Sequence, residues 1–169
     1  MRIIFLLAAC CPLFFSNSFA CNIKEPNVAG SFYPADPTEL SQMLDAFLTA
    51  TSPAPGSGVV RAEGEIFALI SPHAGYGFSG QVASYGYNAI KGKSYKTVII
   101  IGPSHYYAFN GVSVFAEGTF RTPLGDLTVD KEFASMLLNK DEGIILDPKA
   151  FEKEHSVEVQ RIPDSPKEL

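Results

Sequence analysis

Two short apolar runs, residues 65–70 and 97–101, constrain the fold of this chain more than any other feature. Their sequences, EIFALI and TVIII, contain almost no polar alternation. Strands of this kind are typical of a parallel sheet that helices cover on both faces. Residues 81–90 lie between the runs and place small side chains at helical spacing, which predicts a β-α-β unit. The two strands should therefore be adjacent and parallel, with a right-handed crossover.

The rest of the pattern extends this unit into an α/β domain, predicted to be a three-layer α/β/α fold with a mainly parallel central sheet. Capping residues, helical spacing and turn residues mark the other elements. These predicted elements are a helix that begins after Asp36, turn-rich strands in 112–115 and 120–129, a helix from Asp130 to Leu138, and a short strand at 144–146.

Length and charge exclude several classes of protein. The chain has 169 residues, which suits one domain with a substantial core. It is 46% hydrophobic and 18% charged, so a disordered chain is not expected. The formal net charge is −5 and no cluster of lysine or arginine stands out, so we expect no nucleic-acid partner.

The first twenty residues have the pattern of a secretory signal peptide. One arginine precedes a short apolar run, and Ser18 and Ala20 provide the small residues of a cleavage site. We therefore predict that residues 1–20 are removed and that the protein is exported to the periplasm or the extracellular space. All three cysteines lie in or directly after this segment, which excludes a disulfide framework. Cys21 would become the first residue, so a lipid anchor on Cys21 is an alternative.

A histidine follows each of the two apolar runs within four residues. His73 lies in SPHAGY and His105 in GPSHYY. Because the carboxyl ends of parallel strands meet at one edge of a sheet, the two imidazoles are expected to converge there. Neutral imidazole is the commonest side-chain ligand of metals. The pattern therefore predicts that His73 and His105 bind a divalent metal, although a hydrogen-bonded loop histidine is the ordinary alternative for each.

Aromatic residues surround both histidines in the sequence. Tyr76, Phe78 and Tyr106 are predicted to line the crevice and contact a substrate. The same aromatic side chains would also suit a hydrophobic core.

The third histidine, His155, lies between two carboxylates. Glu154 precedes it directly and Glu158 follows three residues later. The cluster suggests a general base with an orienting partner, or a metal ligand. We predict His155 as a catalytic group at the rim and Glu154 as a substrate-facing one. An equally acceptable interpretation is a solvated helix start that Ser156 caps.

Five stretches of sequence carry a resemblance to a known family: AGSFYPADPTEL, ISPHAGYGFSG, IIIGPSHY, GTFRTPLGDLTVD and EKEHSVEVQ. Their order and spacing resemble the Memo family, in particular its bacterial AmmeMemoRadiSam system protein B type. The resemblance covers about residues 26–160, so residues 21–160 are interpreted as a Memo-like α/β domain.

The resemblance implies a fold similar to that of the class III extradiol dioxygenases, which use non-haem iron. It also implies a pocket lined by two histidines and a cysteine. The two histidines map onto His73 and His105, and the family's EHS motif maps onto residues 154–156. The implied cofactor is a divalent transition metal, iron first, with copper or zinc as alternatives.

The chain departs from the family pattern at two points. Phe78 stands where many members have tyrosine, which removes a pocket hydroxyl. Members also continue beyond the position of Gln160 with an apolar helix, more α/β structure and the pocket cysteine. Here residues 161–169 form a divergent polar tail with two prolines. The chain is therefore interpreted as truncated at its C-terminus, with an incomplete sheet and a weakly held metal.

Three hypotheses for function follow. The first is a Memo-type metal-binding protein with redox or oxygenase-like activity. The second is a non-catalytic module that binds a small molecule or a peptide through its aromatic side chains, and the third is an inactive fragment. The resemblance adds other AmmeMemoRadiSam system proteins as potential partners.

Overall fold

The computed structural model of this protein describes residues 22–52 and 64–161. Within these ranges the chain forms helices, short strands and two 3₁₀ turns. The elements are β1 (Ile23–Lys24), α1 (Pro37–Thr51), α2 (Tyr76–Ile90), β2 (Val112–Ser113), β3 (Thr119–Thr122), β4 (Gly125–Thr128), α3 (Lys131–Leu138), β5 (Ile144–Ile145) and 3₁₀ turns at Pro148–Phe151 and Glu158–Gln160.

The described strands form two small sheets. One has the order β1-β3-β4, in which β1 runs parallel to β3 and β4 runs antiparallel to it. The other pairs β2 with β5 in parallel, with Val112 opposite Ile144. Both sheets therefore join segments that lie far apart in sequence.

Helices α1 and α2 pack against each other and support the core. The Asp36 side chain accepts hydrogen bonds from the backbone N–H groups of Thr38 and Glu39, each at 2.9 Å, which satisfies two free donors of the first turn. Asn88 on α2 donates to the Leu48 carbonyl of α1 at 2.8 Å. The buried core residues nearby are Tyr33, Leu40, Tyr76 and Val159.

The structure confirms the α/β class and several predicted elements. The helix after Asp36, the helix from Lys131 to Leu138 and the strand at residues 144–145 are all present. Helix α2 begins at Tyr76, five residues before the predicted start at 81, so residues 76–80 of the ISPHAGYGFSG stretch also belong to the helix.

The predicted strand pair is the main correction. Residues 65–70 and 97–101 form no β-ladder with any described residue, and most of their side chains are exposed. Apolar β-branched residues favour an extended chain, but a strand also needs a hydrogen-bonded neighbour. The apolar pattern could not show which segment would provide that neighbour.

The predictions for the two ends of the chain concern residues outside the described ranges. These are the signal peptide at residues 1–20, the lipid anchor at Cys21 and the polar tail beyond Arg161. Among the described helices, none has the length and apolar character needed to cross a membrane.

Substitutions at two glycines of α2 should have opposite effects on stability. A Cβ at Gly80 would lie 2.4 Å from Cε2 of Phe47, whereas a Cβ at Gly77 meets no atom within 4 Å. Gly80→Gln should therefore lower the free energy of unfolding by about 2 kcal/mol, because it overpacks the α1–α2 contact. Gly77→Gln should raise it by up to about 1 kcal/mol through helix propensity. Urea denaturation of both variants checks this, and equal effects would contradict the packing argument.

Candidate metal centre

The three histidines of the protein converge, although they come from three distant parts of the chain. The ring centroids of His73 and His105 lie 5.3 Å apart. His155 stacks on His105 with 4.4 Å between centroids and an interplanar angle of 17°. The His73 and His155 centroids lie 6.3 Å apart. The expected convergence of His73 and His105 is therefore observed, and His155 completes a cluster rather than lying apart.

Residues 154–160, which include His155, hold the segments around His73 and His105 in place. The side-chain amide of Gln160 donates to the Pro72 carbonyl at 2.9 Å, one residue before His73. The Ser156 hydroxyl donates to the Pro103 carbonyl at 3.3 Å. A Cβ on Gly102 would lie 2.1 Å from Oγ of Ser156, so only glycine permits this close approach. One short segment thus connects both loops that carry the histidines.

Glu154 is the central carboxylate of this arrangement and is buried. It accepts hydrogen bonds from the His105 backbone N–H at 2.9 Å and from the His155 backbone N–H at 2.8 Å. The Ser156 backbone N–H is a further donor, and Nδ1 of His105 lies 3.1 Å from both carboxylate oxygens. Burial raises the pKa of Glu154, but the hydrogen bonds from Ser156 and His105 outweigh it and lower that pKa to about 2.

The ionised Glu154 determines how His105 presents its ring. A carboxylate without a proton can only accept hydrogen bonds, so Nδ1 of His105 carries the hydrogen. In the neutral form of this imidazole the other ring nitrogen, Nε2, then carries the lone pair. This is the arrangement in which a carboxylate orients a metal-binding imidazole.

His155 lies against Phe32, with ring centroids 4.8 Å apart. Its Nδ1 atom is buried and has no hydrogen-bond partner in the part of the chain that the structure describes. Burial lowers the pKa of His155, and the neighbouring His105 imidazole lowers it further. Both effects keep the ring neutral near pH 7, the state in which imidazole binds metals or accepts a proton.

The geometry allows a metal ion to bind in this cluster. Ligand atoms of His105, Glu154 and His155 all lie within 4.8 Å of one another. Because the Glu154 oxygens already accept several hydrogen bonds, we assign this carboxylate mainly to orienting His105. Nε2 of neutral His105 is a donor that suits a transition metal. The unpartnered Nδ1 of His155 is available either to bind a metal or to take up a proton.

A cavity of about 240 Å³ opens beside the cluster. The exposed Tyr106 ring lies 6.0 Å from His155 and 6.3 Å from His105, and it forms one wall. The lining residues are Tyr106, Tyr107, Lys149, Ala150, Glu152, Lys153 and Glu154. No histidine is among these lining residues, so the cavity adjoins the cluster through Tyr106 and Glu154.

The other predicted site residues occupy different places. Tyr76 is buried in the core, where its hydroxyl donates to the Val159 carbonyl at 2.7 Å, so its position favours a structural role over substrate contact. Phe78 is 90% exposed on α2. The Glu158 carboxylate accepts its hydrogen bonds from Asn27, Val28 and Tyr33. Its negative charge still acts on His155 and, like that of Glu154, raises the pKa of this imidazole.

Two features of the cluster were missed by sequence reasoning. Phe32 contacts His155, and its only signal was its place in the AGSFYPADPTEL stretch. The segment around Ser156 was also open to interpretation as a solvated helix start. The structure excludes that alternative, because Ser156 is only 2% exposed and its neighbour Glu154 is buried.

Comparison with known proteins gives a consistent result. The model of the family described as "Memo-like protein" matches residues 24–162. A MEMO1 family protein of Nitrosopumilus maritimus is 39% identical over 138 residues, which are 82% of this chain and 50% of that protein. A MEMO1 family protein of Thermoplasma volcanium is 36% identical over 82% of this chain and 48% of its own length. The protein memo-1 homolog of Caenorhabditis elegans is 35% identical over 85% of this chain and 39% of its own length. This chain therefore spans about half the length, or less, of these relatives.

Proposed function

The chain belongs to the Memo family, since the family model covers residues 24–162, and on that basis we propose that its histidine cluster binds a divalent transition metal and supports redox or oxygenase-like chemistry. The observation that carries the proposal is the cluster itself. Three imidazoles lie together, and a buried ionised carboxylate fixes one of them.

The donor set supports a transition metal rather than magnesium or calcium. Imidazole nitrogens suit iron, copper and zinc, whereas the two lighter cations prefer oxygen ligands. We propose His73 and His105 as ligands, with iron as the first candidate and copper or zinc as alternatives. A bound metal of this kind would supply Lewis acidity, and iron or copper would also exchange electrons.

His155 is proposed as the proton-transfer group of the site. Its lowered pKa keeps the ring neutral near pH 7, so it can accept a proton from a bound molecule. Tyr106 lies beside it and is well placed to contact that molecule in the adjacent cavity. Glu154 would act through His105, by holding its Nδ1 proton, and it also lines the cavity in which a bound molecule would lie.

Metal titration of the purified full chain tests the proposal. Binding of Zn(II), Cu(II) and, without oxygen, Fe(II) is measured by calorimetry for the wild type and for His73→Ala and His105→Ala. Each variant should lose about tenfold or more in affinity, because each removes one of two ligands. Tyr106→Phe is the matched control, since it leaves all the imidazoles in place. Equal affinity in all four proteins would refute the site.

A second candidate function is the binding of a small molecule without catalysis, which the cavity beside Tyr106 favours. Oxygen consumption separates the two functions. An oxygenase-like protein loaded with Fe(II) should consume oxygen in the presence of a reductant, and His105→Ala should not exceed free Fe(II). No difference between wild type and His105→Ala, despite metal binding by the wild type, would favour the binding function.

A further inference from the structure

Asn110 differs from the other asparagines of the chain in the residue that follows it. It is the only asparagine that precedes a glycine, whereas serine, isoleucine, valine, alanine or lysine follows each of the others. A side chain on the following residue shields that residue's backbone nitrogen, and Gly111 has no side chain. The Gly111 nitrogen is therefore open to approach by the Asn110 side chain.

The side-chain amide of Asn110 is also not held in place within the part of the chain that the structure describes. The other asparagines of these ranges donate from Nδ2 to a backbone carbonyl. The acceptors are the carbonyls of Glu117 for Asn22, Glu154 for Asn27, Leu48 for Asn88 and Ser135 for Asn139. Asn110 is exposed and makes no such bond, and the Gly111 N–H donates to no described backbone carbonyl.

Gly111 connects this asparagine to strand β2 at a closely packed point. Its φ is +92°, a conformation that favours glycine, and a Cβ here would overlap the Gly143 carbonyl oxygen. The same oxygen accepts the hydrogen bond of the Val112 N–H at 2.8 Å, which is the first bond of the β2–β5 pair. A longer backbone at Gly111 would therefore shift β2 relative to β5.

We propose that Asn110–Gly111 is a self-modification site, at which the chain forms a β-aspartyl linkage. The Gly111 nitrogen loses its proton to solvent and bonds to Cγ of Asn110, while the bond from Cγ to Nδ2 breaks and ammonia leaves. Water then opens the resulting cyclic imide at either carbonyl, which gives aspartate or β-linked aspartate. Nothing is oxidised or reduced, and water is the only co-reactant. The inference is independent of metal binding by the histidines.

The β-linked product differs from the original chain in charge and in backbone length. A neutral amide becomes a carboxylate, and the main chain gains one methylene because it now passes through the former side chain. Since Gly111 lies against Gly143, this extra atom displaces the start of β2. The hydrogen bonds from Val112 to Gly143 and from Val114 to Ile145, at 2.8 and 2.9 Å, should then open more often.

Mass spectrometry of the full chain after incubation at mildly alkaline pH tests the chemical step. The peptide that contains Asn110 should lose one ammonia and gain one water, and its fragmentation should show the β-linkage. Asn139 is the internal control, because it is exposed but precedes lysine and donates to Ser135. Asn110→Gln should lose the product, since attack on glutamine must close a larger ring. Conversion at Asn110 that is no faster than at Asn139 would overturn the proposal.

Hydrogen exchange tests the structural consequence. In the purified β-linked protein, the backbone N–H groups of Val112 and Val114 should exchange about tenfold faster than in the unmodified chain. Freshly prepared Asn110→Asp is the matched control, because it adds the same charge without lengthening the backbone, and it should exchange like the wild type. Equal rates in the β-linked protein and in Asn110→Asp would refute the displacement of β2.

Discussion

Replacing Glu158 with glutamine should lower the free energy of unfolding by about 3 kcal/mol, because the side chain is buried and its carboxylate only accepts hydrogen bonds. Glu158 is 1% exposed. Its carboxylate accepts from the backbone N–H groups of Asn27 at 2.7 Å and Val28 at 2.9 Å, and from the Tyr33 hydroxyl at 2.7 Å. A glutamine side chain would turn an N–H group toward a donor and leave that donor unpaired.

The charge of Glu158 also matters to its surroundings. Burial lowers the pKa of Arg161 to about 10, and the negative charge of Glu158 acts in the opposite direction. Burial raises the pKa of Tyr33 as well, and the hydrogen bond to Glu158 strengthens that effect. Glutamine would remove the charge that favours the cationic form of Arg161, which packs over the Phe120 ring at 3.8 Å. The cost is therefore larger than that of one hydrogen bond.

Urea denaturation at pH 7 measures this effect. Glu142→Gln is the matched control, since Glu142 is exposed and should change stability by less than about 0.5 kcal/mol. Equal stability of the two variants would show that Glu158 does not connect the N-terminal segment to the rest of the domain.

The sequence led to a correct prediction that His73 and His105 converge, but for a reason that does not hold. The prediction rested on the apolar run that precedes each histidine. That argument assumed that residues 65–70 and 97–101 pair directly, which they do not. The histidines converge for another reason, namely the hydrogen bonds from residues 154–160 to Pro72 and Pro103. Those contacts join residues that are 53 and 88 positions apart, and no local pattern indicates them.

The helices were predicted more accurately than the partners of the buried charges. Asp36 and Asp130 both carry the capping signal, and each caps the helix that follows it. Glu154 and Glu158 instead lie four residues apart in a polar stretch that resembles an exposed turn. Their burial depends on Asn27 and His105, which are distant in sequence. The roles of such carboxylates become visible only when the tertiary contacts are known.

Replacing Glu154 with glutamine should affect both stability and metal binding. The hydrogen bonds from Ser156 and His105 hold the pKa of Glu154 at about 2, below its ordinary value of 4.5. Above pH 4.5 the ionised carboxylate therefore contributes of the order of 2–3 kcal/mol to the free energy of unfolding. Glutamine keeps only one acceptor oxygen, so Nδ1 of His105 loses one of the two carboxylate oxygens that it now faces. Affinity of the cluster for Zn(II) should fall by about tenfold or more.

The pH dependence separates this role from a general loss of packing. A carboxylate with a lowered pKa stabilises the fold above its unfolded pKa, and the contribution is lost as the pH falls toward its folded pKa. The stability difference between wild type and Glu154→Gln should therefore be largest at pH 7 and fall to about half near pH 3. Glu152→Gln is the matched control, because Glu152 lines the same cavity but is exposed and forms no hydrogen bond with His73, His105 or His155, all of which the structure describes. A stability difference that stays constant from pH 7 to pH 3, together with unchanged Zn(II) affinity, would mean that Glu154 fills space without holding His105.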